Sequence, residues 1–281
     1  MRPYIELMRP INSLLAGIAT IIGFLVASGF NLTPHHSVRV LLAFSSAFML
    51  SSSSMAINDY FDREIDAINQ PSRPIPSGRV SPREALIFSL TLMVLGILLS
   101  TTINFEAFLI AILACSVFVA YSAYLKRSGL LGNVAVSLCV SLTFIYGSTA
   151  FGSLTALLVL FSITAFLATM SREIVKGIAD VEGDRLKGIK SLAASLGLRA
   201  ASHIALAFMV VAIATSFIPI VYGLVNWLYA PLIAFSDAGL LLSSLTVCRS
   251  PSPQRAVKSK KVMLIFMGLA LAAFLAGCIE I

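Results

Sequence analysis

The chain of 281 residues is 58% hydrophobic and only 12% charged, with a mean hydropathy of +0.94. A soluble domain carries about 25% charged residues, so this composition excludes a water-solvated globule and calls for lipid as the solvent. The formal charge of +7 would point to nucleic acid in a soluble protein; here it is explained by membrane topology and an anionic ligand, and no nucleic-acid partner is expected.

The opening MRPYIELMRP carries Glu6 and lacks a signal-cleavage pattern, so the first apolar run reads as a mature transmembrane helix. A bilayer core needs roughly 20 apolar residues per helix. Taken in order, the runs at about 11–30, 38–57, 85–104, 106–124, 130–150, 153–171, 200–222, 226–247 and 262–279 predict an all-α, polytopic bundle of nine transmembrane helices in a single domain spanning 1–281. His35 and His36, in the first outer link, read as surface residues. The small residues Ser51–Ser54 near the end of the second span allow close helix approach.

The second span leads into NDYFDREIDAINQPSRPIPSG, where Asn58, Asp62 and Asp66 recur every four residues and so share one face of a helix, with Asp59 bordering it. Stacked carboxylates favour a cation, and hard oxygen donors suit Mg²⁺ or Ca²⁺. The sixth span leads into SREIVKGIADVEGDRLKGIKSLA. There Asp180 and Asp184 are again four apart, among Arg172, Lys176, Arg185, Lys187 and Lys190. Mg²⁺ prefers a few carboxylates together with substrate phosphates, and lysines and arginines neutralise the remaining phosphate oxygens. Two acidic clusters fringed with basic residues therefore point to a metal-bound diphosphate. An ion-coupled secondary transporter, the competing class, would place its carboxylates near the membrane midplane; these lie at helix ends. Asp237, inside the eighth span, is a functional suspect by its position alone. Lys258, Lys260 and Lys261 before the ninth span read as anchors to anionic headgroups. Cys115, Cys139, Cys248 and Cys278 are far apart without CxxC spacing and read as small apolar residues.

With nine spans, the segments 1–10, 58–84, 125–129, 172–199 and 248–261 share one membrane side and hold every basic residue except Arg39. The positive-inside rule then puts the N-terminus and both acidic clusters in the cytoplasm. The expectation is a multi-pass protein of the cell membrane whose active site faces the cytoplasm.

NDYFDREID fits the NxxxDxxxD pattern, and DVEGD the DxxxD pattern, of the UbiA superfamily of intramembrane prenyltransferases, which this chain resembles over nearly its whole length. RPIN at Arg9 to Asn12, PSRPIPSG and KSLAASLG are also similar to family sequence. Many relatives carry YxxxK after the fourth span; here Tyr121 and Lys126 stand one residue further apart. REIVKGIADVEGDRLKG most resembles the archaeal members that pass a geranylgeranyl group from geranylgeranyl diphosphate to the free hydroxyl of geranylgeranylglyceryl phosphate, an ether-lipid precursor. An aromatic or quinone-type acceptor, or haem, is the alternative within the superfamily. The resemblance implies Mg²⁺ as cofactor and, as partners, a prenyl diphosphate and a lipid-like phosphorylated acceptor, with membrane lipids around the chain. The expected metal ligands are Asn58, Asp62, Asp66, Asp180 and Asp184, the four aspartates being the catalytic set. The expected substrate contacts are Asn12, Asp59, Arg73, Lys126, Arg127, Lys176 and Lys187.

Overall fold

A computed structural model describes residues 1–186 and 188–279, with Asn69 described by its backbone alone. All regular structure among the described residues is helical, and nine of the helices are long and apolar enough to cross a membrane. The chain forms two compact units: residues 1–125 with 142–154, and residues 126–141 with the chain from 155 onward.

The first unit comprises α1 (Arg2–Met8), α2 (Pro10–Ser28), α3 (Pro34–Asn69), α4 (Pro82–Thr101), α5 (Phe105–Ala123) and the second half of α6 (Leu130–Phe151). Local chemistry sets the helix starts. Thr33 and Ser81 accept hydrogen bonds from the backbone N–H three residues on, each followed by a proline at the first helical position, and Asn104 caps α5 through Ala107 N–H. His36 completes the cap of α3 by accepting from Thr33 N–H with its Nδ1, so this residue of the histidine pair has a local structural task.

α3 packs against α1, α2, α4 and α5. Its serines make the contacts close: Ser46 donates to the Gly96 carbonyl, Ser52 to Ser13 Oγ and Ser53 to the Ser89 carbonyl, at 2.8, 3.0 and 2.8 Å. α2 and α6 approach through glycines. A Cβ on Gly147 would sit 2.0 Å from the Thr20 carbonyl oxygen, and one on Gly23 would sit 2.2 Å from that of Phe144.

The second unit holds the first half of α6, α7 (Ala156–Ala179), two short helices α8 (Val181–Leu186) and α9 (Leu192–Leu196), then α10 (Leu198–Ser216), α11 (Ile218–Val221), α12 (Tyr229–Arg249) and α13 (Pro253–Gly277). Its core draws Ile174, Ile178, Met209, Leu240 and Met263 from four helices. Asp237 is buried on α12 and accepts a 2.6 Å hydrogen bond from Ser216 Oγ, while Tyr229 donates to the Ser216 carbonyl at 2.8 Å. The suspect carboxylate is thus tied to the end of α10. All four cysteines are free thiols.

Helix ends differ from the apolar runs. α3 continues past residue 57 to Asn69, α7 past 171 to Ala179, and α13 begins at Pro253 rather than near 262. Hydropathy marks where a helix meets lipid. The helix itself continues for as long as its backbone hydrogen bonds do, and Asp, Glu, Arg and Lys are tolerated there.

Candidate active site

Because α3 stays helical through the first motif, Asn58, Asp62 and Asp66 stack one turn apart. Asp59, Asp62 and Asp66 are each no more than 4% exposed, and buried carboxylates require partners. Asp59 pairs with Arg9 and with Arg73 Nη1, the latter at 3.2 Å; Arg73 also pairs with Asp66 and donates from Nε to Gln70 Oε1 at 3.0 Å. The loop after α3 delivers that arginine. Its Ile75 and Val80 are buried with Leu7, Ala56 and Ala85, and Arg79 reaches back to Glu6 at 2.8 Å. Asn58 donates from Nδ2 to Asp62 Oδ2 at 2.8 Å. That bond leaves Asn58 Oδ1, itself buried, with no hydrogen-bond partner. Asn12 is half-buried and directs its amide at Met55 Sδ, 3.8 Å away on α3.

In the second cluster Asp180 ends α7, and its carbonyl accepts the Asp184 N–H at 3.0 Å, so a helical turn links the two aspartates across the junction with α8. Asp184 is buried, and burial pushes its carboxyl pKa above the ordinary value; a hydrogen bond from Ser191 and the charges of Lys126 and Lys176 pull the other way. Glu173 is buried between Arg172 at 3.2 Å and Lys176 at 2.9 Å, while Glu182 is exposed. Lys176 therefore holds a carboxylate in this state.

Lys126 lies half-buried in a 3₁₀ turn, Leu125–Ser128, and the Arg127 side chain is exposed. The turn lies against the segment that follows the second motif: Lys190 N–H donates to the Arg127 carbonyl at 3.2 Å. Gly129 permits this approach, with φ +64° and a Lys190 carbonyl oxygen 2.0 Å from where a Cβ would stand. Lys187 lies outside the described residues.

Asn58, Asp59, Asp62, Asp66 and Arg73 thus converge in one unit, and Lys126, Lys176, Asp180 and Asp184 in the other. Sequence reading missed Arg9 and Lys260. Lys260 donates from Nζ to Asp180 Oδ1 at 3.3 Å. The RPIN resemblance was the one signal for Arg9; for Lys260 there was none. Among the described residues, no three acidic, histidine or cysteine side chains are grouped to enclose a metal by themselves. The oxygen-only donors and the orphaned Asn58 Oδ1 nonetheless fit Mg²⁺, which takes a few protein oxygens and completes its shell with water and phosphate.

The sequence pattern of the UbiA prenyltransferase family matches residues 16–277. The chain belongs to this family and is a multi-pass membrane prenyltransferase. It is 40% identical over 277 residues to the digeranylgeranylglyceryl phosphate synthase of Methanothrix thermoacetophila, covering 97% of this chain and 98% of the relative. A solved structure described for digeranylgeranylglyceryl phosphate synthase in membranes superposes with a TM-score of 0.76 at 33% identity, over 99% of this chain and 98% of that one. A UbiA homologue from Archaeoglobus fulgidus, solved with GPP and Mg²⁺, shares the fold with a TM-score of 0.67 at 19% identity, over 97% and 99% of the two chains.

Proposed function

We propose that this protein transfers a geranylgeranyl group from geranylgeranyl diphosphate to the free hydroxyl of geranylgeranylglyceryl phosphate, using Mg²⁺, at the cytoplasmic face of the cell membrane. The substrate assignment follows the 40% identity to a relative of that name along almost the whole chain. The observation that carries the chemistry is the buried, unpartnered Asn58 Oδ1 beside Asp62 on a stacked acidic helix face.

In this reading Asn58, Asp62 and Asp66 are the oxygen donors to one Mg²⁺, and Asp180 and Asp184 to another. Bound there, Mg²⁺ supplies positive charge to the departing diphosphate. Arg73 and Lys126, with Arg127, Lys176 and Lys187, bind phosphate oxygens. Arg9 and Arg73 hold Asp59, which in turn fixes the arginine that Asp66 also shares. Asn12 orients substrate at the start of α2. The C1–O bond of the prenyl diphosphate breaks with its electron pair on the leaving diphosphate. The acceptor oxygen bonds to C1 and gives up its proton to the released diphosphate. The surrounding helices exclude water that would otherwise capture the allylic carbon.

The test is a transfer assay on purified protein with geranylgeranyl diphosphate, Mg²⁺ and two competing acceptors, geranylgeranylglyceryl phosphate and 4-hydroxybenzoate. Product from the glyceryl phosphate alone is expected. Product from the aromatic acid alone would keep the mechanism and overturn the acceptor.

A further inference from the structure

The basic string near the start of α13 contains three lysines that differ in placement. Lys258 and Lys261 are exposed, whereas the Lys260 side chain is 17% exposed and lies on Asp180. A lysine whose only task is to grip headgroups keeps its ammonium in the headgroup layer. Lys260 instead completes a charge cluster of Arg172, Lys176 and Lys260 against Glu173 and Asp180. Glu173 already has two cations in contact, and among the described residues it is Asp180 that the Lys260 ammonium touches. Its backbone is fixed independently, because Arg172 Nε donates to the Lys260 carbonyl at 3.3 Å.

We propose that Lys260 is a further residue of the diphosphate subsite: it holds the Asp180 carboxylate before substrate arrives and gives its ammonium to a diphosphate oxygen once Asp180 turns to the metal. This rests on the reading of Asp180 as a metal ligand. Once Asp180 gives its oxygen to a cation, the ammonium loses its hydrogen-bond partner, keeps only the attraction of Glu173, which Arg172 and Lys176 already pair, and is repelled by the incoming charge. Both penalties are relieved by an anion. Metal and diphosphate therefore bind cooperatively, with Lys260 opposing the metal alone and favouring the pair.

The experiment measures binding of Mn²⁺, as a spectroscopic stand-in for Mg²⁺, to the full-length protein by electron paramagnetic resonance, with and without inorganic pyrophosphate, alongside the KM values of both substrates. In Lys260→Gln, metal alone should bind as well as in the unaltered protein or better. Pyrophosphate affinity in the presence of metal should fall by roughly ten- to a hundredfold, the worth of a charge-assisted hydrogen bond. The KM for geranylgeranyl diphosphate should rise while that for the acceptor stays. Lys260→Arg should recover most of the pyrophosphate affinity; Lys258→Gln and Lys261→Gln should leave it unchanged. Thermal melting checks folding, with Lys260→Met as a second uncharged variant. Unchanged pyrophosphate affinity in the uncharged variants, with Asp180→Asn defective, would overturn the role of Lys260 alone. Unchanged binding in Asp180→Asn as well would overturn the metal-ligand reading on which it rests.

Discussion

Arg73 pairs with two buried carboxylates at once, and such an arrangement fails asymmetrically: removing the cation strips Asp66 of its arginine and leaves Asp59 with Arg9 alone. Arg73→Ala should therefore destabilise the protein by about 3 kcal/mol, seen as a lower melting temperature in detergent, and Mg²⁺ should restore part of the loss. Asp62→Ala and Asp184→Ala should remove several kcal/mol of charge stabilisation at the leaving group, which corresponds to a loss on the order of 10²–10³-fold in diphosphate release. Retained transfer in either would sink the assignment of the two acidic motifs. At this scale the sequence was informative where chemistry repeats at helical spacing, as in Asn58, Asp62 and Asp66. It was silent where a partner comes from a distant segment. Arg9 and Lys260 lie where a basic residue at a membrane border already has a reason to exist, so their pairing with Asp59 and Asp180 could not be told from topology.

Two elements depend on the absence of a side chain. Gly129 combines a left-handed backbone with a carbonyl oxygen 2.0 Å from the missing Cβ. Gly129→Ala should push the Lys126 turn off the segment that follows the second acidic motif, lowering transfer at least tenfold in a protein that still folds; unaltered activity would show that the turn has no part in it. Gly147 faces the Thr20 carbonyl equally closely, but far from either acidic cluster in sequence. Gly147→Leu should cost about 1–3 kcal/mol by overpacking the α2–α6 crossing, read as a lower melting temperature, while substrate KM values stay unchanged in whatever fraction folds. The nine long apolar helices among the described residues were legible because each contains an apolar run of the right length. Their true ends were not, since α3, α7 and α13 carry charged residues on the same unbroken hydrogen-bond ladder. The crossings of α2 with α6 were hidden because a glycine in an apolar run carries no sign of what it faces.

For the whole molecule, the distribution of basic residues predicts sidedness. In a cysteine-free background and in right-side-out vesicles, Asn31→Cys should react with a membrane-impermeant maleimide, and Ser72→Cys should react only after permeabilisation; the reverse pattern would invert the orientation. α3 adds a last consequence. Its 36 residues rise about 54 Å at ~1.5 Å each, against a hydrocarbon core of about 30 Å. One continuous rod is therefore longer than the hydrocarbon core is thick, and its acidic face lies beyond its apolar stretch. With the proposed function, a substrate with a diphosphate head and a prenyl tail would meet that face without leaving the bilayer. Catalysis would then be a reaction in two dimensions, governed by how crowded the substrates are within the lipid plane: adding inert lipid at fixed total substrate should slow turnover, as though the solution had been diluted.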